Sequence, residues 1–206
     1  MVGQGVLREC LLDGGVTAVL CVGRSRTGQQ HPKLGELVHD PARLDEVKDQ
    51  LSGYDACFFC LGVSSAGMSE DEYRRITYDL TLSAARVLLK KNPAMTFIYV
   101  SGAGTDGRAM WARVKSKTEK DLAQLGFRAT YMFRPAAIQP LHGITSRTRM
   151  YRAFYAVFGP LLPLMRRIFP GFVTTTEVMG RAMIRAARNG APKPILENSD
   201  INALGA

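Results

Sequence analysis

Ser101 and Lys115 are the residues of this 206-residue chain whose types and spacing best suit work on a polar oxygen. Ser101 closes the apolar run "MTFIYVSGAG" (95–104), so its hydroxyl stands at the carboxyl end of a predicted strand. Lys115 follows Trp111 by four residues in "MWARVK", which puts both side chains on one face of the next helix. A hydroxyl, an ammonium and an indole N–H gathered there can hold a carbonyl or hydroxyl oxygen. The indole is a donor that does not titrate. A second group, Arg24, Ser25 and Arg26 in "VGRSRTG", brings cations to the end of another apolar run.

These residues need a scaffold that gathers strand ends, and the alternation along the chain predicts one. Apolar runs at 16–24, 33–40, 54–62, 95–104 and 129–138 suit strands covered on both faces. Helical patterns lie at 5–15, 41–53, 69–93 and 111–126. Irregular helical stretches over 146–169, a helix at 174–190 and a short strand at "PILEN" follow. Strands separated by helices require a parallel sheet with right-handed crossovers. The expected fold is α/β, a Rossmann-like doubly wound sheet in one domain over 1–206, with about 139–206 as a small substrate-side region.

Ligands of such sheets bind at the carboxyl ends of the strands, near the point where strand order reverses. Arg24 and Arg26 then stand where an adenosine ribose is contacted. An acid there would accept from a 2′-hydroxyl, whereas Arg pairs with a 2′-phosphate; "VGRSRTG" holds no acid, so NADP is expected over NAD. Gly62 lets a ligand approach the backbone after the third run. Asp40 is placed to address an adenine or to cap the helix opening at Pro41, and the cap is the favoured role.

With these residues in view, the chain resembles an atypical short-chain dehydrogenase/reductase of the Tat-interacting-protein oxidoreductase type, related to NmrA-like and NAD-dependent epimerase/dehydratase-like proteins. "VGR", "FFCLGVSS", "YVSGAG", "WARVK", "FRPAAI" and "ILENSDINALG" fall in family order and cover nearly the whole chain. The resemblance implies that Arg24 and Ser25 contact the NADP 2′-phosphate and that Leu61 and Gly62 line the cofactor. It implies further that Lys115 binds the ribose and that Arg134, with Pro135 and Ala136, lies near the nicotinamide end. In the family's serine and Y-x-x-x-K set, the tyrosine is the general acid/base, the lysine lowers its pKa and the serine orients the carbonyl. Here Trp111 stands where that tyrosine is expected, and a reductase without its acid loses roughly 10²–10⁴ in rate. Tyr78 and Tyr151 are the tyrosines considered as substitutes.

The opening "MVGQGVLREC" is a second departure. Family members begin with a strand and a G-x-x-G-x-x-G loop; Gly3 fits its third glycine, and roughly a dozen residues carrying the first strand and first two glycines have no counterpart. The sheet is therefore expected to be N-terminally truncated, without its central first strand. Unpaired edges there imply weak cofactor binding and low thermal stability.

Composition bounds the rest. With 46% hydrophobic and 22% charged residues, the chain reads as an ordinary globular protein, expected in the cytoplasm with reduced thiols. Cys57 and Cys60 form a C-x-x-C inside a strand, where residues three apart face opposite sides, so neither a metal site nor a local disulfide is expected. The net charge of +9 is concentrated in 106–193, which holds 16 Lys/Arg against 4 Asp/Glu. Without a helix-turn-helix, zinc or RNP-type pattern, that face is read as solvated rather than as a nucleic-acid footprint. Residues 146–172 mix Arg with aromatic side chains and are read as a pocket lid or oligomer contact, with an anionic membrane surface the weaker alternative. By fold analogy, the helices at 69–91 and 111–125 offer a homodimer face. The functional expectation is an NADP-binding oxidoreductase-like protein acting on a small carbonyl or hydroxyl compound. The alternative is a regulatory or interaction protein that senses NADP(H) and does little chemistry.

Overall fold

The structure is a computed structural model that describes residues 1–144, 167–169 and 171–206. Val6, Leu7, Cys10 and Leu11 form the buried stripe of helix α1 (Val2–Leu12), which ends before Gly14 and Gly15. Strands β1 (Val19–Gly23) and β2 (Leu34–Val38) follow, then a kinked 3-10 helix (Pro41–Leu51). Strand β3 (Ala56–Phe59) leads to α2 (Glu70–Arg74), which opens on a capping box between Ser69 and Glu72. One π-helical turn (Arg75–Asp79) joins α2 to α3 (Leu80–Lys91). Next come β4 (Thr96–Val100), α4 (Met110–Ala123), β5 (Ala129–Arg134) and β6 (Ala137–Gln139). The chain continues with β7 (Val173–Thr175), α5 (Thr176–Asn189), β8 (Ile195–Glu197) and α6 (Asn198–Gly205).

All the pairings are parallel, as the alternation requires, in a Rossmann-like three-layer arrangement. The main sheet has the order β3-β4-β5-β8, with β1–β2 and β6–β7 as separate pairs. Alternate residues of the main sheet feed two cores. Phe59, Phe97, Tyr99 and Met132 meet the 3-10 helix, α3 and α4, while Ile98, Phe133 and Leu196 meet α1, α5 and α6. Phe97 stacks between Phe59 and Phe127 at centroid distances of 5.8 and 5.0 Å. Helices α1 and α5 cross closely because glycines sit at the contact. A Cβ on Gly5 would lie 2.5 Å from the Thr176 Cβ, and one on Gly180 would lie 2.6 Å from the Glu9 Cγ.

β1 and β3 do not pair, although α1 packs against both. Among the described residues no strand lies between them. Other elements refine or differ from the sequence expectation. The segment 129–138 is two strands, broken where Pro135 interrupts the ladder; the short helix expected at 41–53 is 3-10 over Pro41–Leu51; and β7 and α6 are additional. Tyr151 and most of the segment 146–172 lie outside the described residues.

Candidate functional site

A cavity of about 1670 Å³ opens at the carboxyl ends of β3 and β4, between the two helical layers. Gly3, Leu61, Gly62, Ser101, Trp111 and Lys115 line it, joined on one side by Pro135 and Ala136. The fold thus brings together eight of the residues singled out in the sequence. Gly62 leaves its part of the wall open, with no atom within 4 Å of where a Cβ would stand.

The strongest contact in this wall is between Lys115 and the end of β4. The Lys115 Nζ donates to the Ser101 carbonyl oxygen at 2.7 Å, which fixes the second turn of α4 against the strand terminus. Burial lowers the Lys115 pKa to about 8, opposed by Glu119 one helical turn on. The Ser101 side chain is buried and its Oγ lies 3.1 Å from the Thr105 Oγ1. Thr105 donates its own proton to the Gly102 carbonyl at 2.6 Å, which leaves Ser101 as the donor to Thr105. The serine hydroxyl is therefore pre-oriented by a threonine that sequence reasoning missed. The ring of Trp111 packs on Gly104, whose φ of +83° and 3.4 Å clearance to the ring both favour glycine.

The remaining candidates lie elsewhere. Arg24, Ser25 and Arg26 form an exposed loop after β1, outside the cavity lining. Glu36 of β2 reaches this loop, accepting from the Thr27 N–H at 2.6 Å and its hydroxyl at 2.7 Å, which holds the Glu36 carboxyl below its usual range. The acid missing from "VGRSRTG" is thus supplied by the neighbouring strand. Asp40 caps the 3-10 helix, its carboxylate accepting from the Ala42 N–H at 3.0 Å.

Arg134 is 4% exposed, and carboxylates on three sides hold its guanidinium. Nε and Nη2 donate to Glu119 at 3.1 and 2.6 Å. Nη1 and Nη2 donate to Asp106 at 2.6 and 3.0 Å, and Nη1 also reaches Glu197 at 3.2 Å. These bonds tie β5, α4, the 102–109 loop and β8 together, and they commit the charge of Arg134 to the scaffold rather than to the cavity. Pro135 and Ala136, next in sequence, reach the cavity in its place. Glu119 had one sequence signal, its i+4 spacing from Lys115; Asp106 and Glu197 had none.

Known proteins share parts of this chain's sequence and its fold. No family model matches the chain. The rat protein HTATIP2 is 26% identical over 141 residues, covering 66% of this chain and 58% of the rat protein. The Aspergillus oryzae protein fmp52-1, named as mitochondrial, is 28% identical over 197 residues, covering 90% of this chain and 81% of its own length. These similarities support the resemblance to atypical short-chain dehydrogenase/reductases. Solved structures share the fold. Bordetella bronchiseptica WbmH, determined in complex with NAD+, superposes with a TM-score of 0.68 at 16% identity, covering 96% of this chain and 71% of that one. Helicobacter pylori ADP-L-glycero-D-manno-heptose-6-epimerase gives 0.68 at 14% identity, covering 98% and 76%. Against the sequence pattern stated for short-chain dehydrogenase/reductases, this chain keeps the serine and the lysine and carries Trp111 between them. Among its described residues no helix is long and apolar enough to cross a membrane.

Proposed function

We propose that the protein binds an NADP-type dinucleotide in the β3–β4 cavity and acts as an oxidoreductase on a small carbonyl or hydroxyl compound. The observation that carries this reading is the Lys115–Ser101 contact at the cavity wall, 2.7 Å from Nζ to the carbonyl oxygen. The residues present suit such a cofactor. The first turn of α1 borders the cavity with its backbone N–H groups and with Gly3, which adds no side chain, and this is where a pyrophosphate is best received. Lys115 offers a donor for ribose hydroxyls, and Gly62 leaves room for a close approach. Arg24 and Arg26 supply charge for a 2′-phosphate, while Glu36 is engaged with Thr27 and does not compete for it. A bound nicotinamide would supply or accept a hydride. Ser101 positions the substrate oxygen once its hydroxyl turns from Thr105. Lys115, with its proton held loosely near pH 8, is the titrating group at hand, since the Trp111 indole only donates.

Isothermal titration of NADPH and NADH tests the cofactor. NADPH is expected to bind at least about tenfold more tightly, a difference of about 1.4 kcal/mol, and the Arg24→Ala, Arg26→Ala double variant is expected to lose it. Equal affinities would remove the NADP assignment.

Trp111 favours a second reading, in which the protein senses NADP(H) and turns over little. The Trp111→Tyr variant separates the two. A gain of roughly 10²–10⁴ in turnover supports a reductase that lacks its acid, and no gain supports the sensor.

A further inference from the structure

Lys115 and Glu119 are four residues apart on α4, a spacing at which an ammonium and a carboxylate face each other across one helical turn. Glu119 is buried and Lys115 half-buried, and away from water such charges attract more strongly than on a surface. The Lys115 ammonium nevertheless bonds a neutral acceptor, the Ser101 carbonyl at the end of β4. Its Nζ lies so close to that strand end that a Cβ built on Gly102 would stand 3.7 Å from it.

Arg134 accounts for this choice. Its Nε and Nη2 take the two Glu119 oxygens, at 3.1 and 2.6 Å, in the fork by which a guanidinium grips a carboxylate. Asp106 and Glu197 hold the rest of the guanidinium, so the fork cannot swing off Glu119. The other charges around this part of α4 are spent elsewhere. Arg113 pairs with Glu70, and Lys117 pairs with Asp121, which also accepts from Tyr78. The Tyr99 phenol of β4, the other titratable group beside Glu119, is kept neutral by burial.

We propose that Arg134 is a positioning residue for Lys115: by occupying both oxygens of Glu119 it withholds the lysine's helical partner and leaves the ammonium on the Ser101 carbonyl, at the cavity wall. Without the fork, Glu119 is a buried carboxylate whose next cation is Lys115, one turn away, and the ammonium leaves the strand end to pair with it. The same withholding suits the proton of Lys115, because burial outweighs a Glu119 that is already neutralised. The consequence for chemistry rests on the oxidoreductase reading above; the arrangement itself does not, and it is testable without cofactor or substrate.

The test is NMR of the isotope-labelled 206-residue chain with no nucleotide added. Two signals are followed: the Lys115 Cε, assigned against Lys115→Met and titrated with pH, and the Ser101 carbonyl carbon, read through the Gly102 amide at neutral pH. In the wild type the Cε is expected to titrate near 8. Arg134→Leu should raise that midpoint by about one unit or more, about tenfold in proton affinity, and shift the Ser101 carbonyl signal as its donor leaves. Adding Glu119→Gln to it should bring both signals back to their wild-type positions. Arg134→Lys keeps the charge but cannot grip both oxygens. It should move both signals in the same directions by less, and it carries the test if Arg134→Leu does not fold. An unchanged Lys115 midpoint would mean that Glu119 takes up a proton instead, and would overturn the proposal. A raised midpoint with the Ser101 signal unmoved, or one that persists in the double variant, would overturn it as well, because only the lost charge of Arg134 would then be felt. Titration of NADPH into the wild type bears on the oxidoreductase reading alone, so the two failures are distinguishable.

Discussion

β1 and β4 are five-residue, apolar, parallel strands of similar sequence character, and they end in different environments. Phe97, Ile98 and Tyr99 of β4 are 0–1% exposed, whereas every residue of β1 is only half-buried. The side chains do not account for this; the neighbours do. β4 has β3 and β5 on its edges and helices over both faces, while β1 has β2 on one edge and the cavity on the other. A strand's sequence states what it can bury, and the strands beside it decide what is buried.

Mutations can break or sharpen this contrast. Phe97→Ala, which removes the middle ring of the Phe59–Phe97–Phe127 stack, is expected to cost about 3–5 kcal/mol in urea unfolding. Leu20→Ala on β1 should cost less, about 1–2 kcal/mol, because that side chain is only partly buried and borders the cavity. Equal costs would mean that β1 is as well covered in solution as β4.

A comparable loss, about 3–5 kcal/mol, is expected for Arg134→Leu, which strands the buried Glu119 carboxylate inside the main sheet's support. The Arg134→Leu, Glu119→Leu pair should recover most of it. Failure of the pair to recover would place the value of Arg134 in packing or in Asp106 rather than in the buried charge.

Gly180→Ala tests the joint between α1 and α5, through which the N-terminal region rests on the main sheet. With Glu9 in the way of the new methyl, a loss of about 1–3 kcal/mol in the same assay is expected.

The smallest effect belongs to Lys115. Below pH 8 the folded protein buries an ammonium that the unfolded chain hydrates, and the penalty is at its full size. Between about 8 and the ordinary value of 10.5, the folded amine has lost its proton while the unfolded one keeps it, so this group's contribution to stability rises with pH. Cys10 and Cys57, pushed up to about 12 by burial, act in the opposite direction above pH 9. The difference between wild type and Lys115→Met isolates the lysine. That difference should shift in favour of the wild type across this window.

Much of the fold was legible because periodicity survives in the folded chain. The α1 stripe, the β4 run and the long α2–α3 segment are each strong patterns. β7 runs directly into Thr175, the N-cap of α5, so its three residues merge with the helical pattern, and α6 carries only eight residues. The break between β5 and β6 was signalled by Pro135, whose missing N–H interrupts the ladder. In the site, strand-end logic brought Ser101 and Gly62 to the cavity, and the four-residue helical spacing from Trp111 brought Lys115 there. Arg134 could not be read in the same way. A basic residue at a strand end suits a ligand or a carboxylate equally well, and Asp106, Glu119 and Glu197 come from three separate elements. Cys57 and Cys60 do fall in opposite cores, as a strand period of two demands.

The central claim is that a dinucleotide sits in the cavity beside Ser101 and Lys115, and the sequence supplies its own probe. Trp111 is the single tryptophan and lines that cavity. Titrating NADPH into the protein should quench Trp111 emission saturably, and Lys115→Met should weaken the response about tenfold or more. Calorimetric binding of NADPH with Trp111 emission unchanged, or with Lys115→Met identical to wild type, would place the ligand elsewhere and contradict the account.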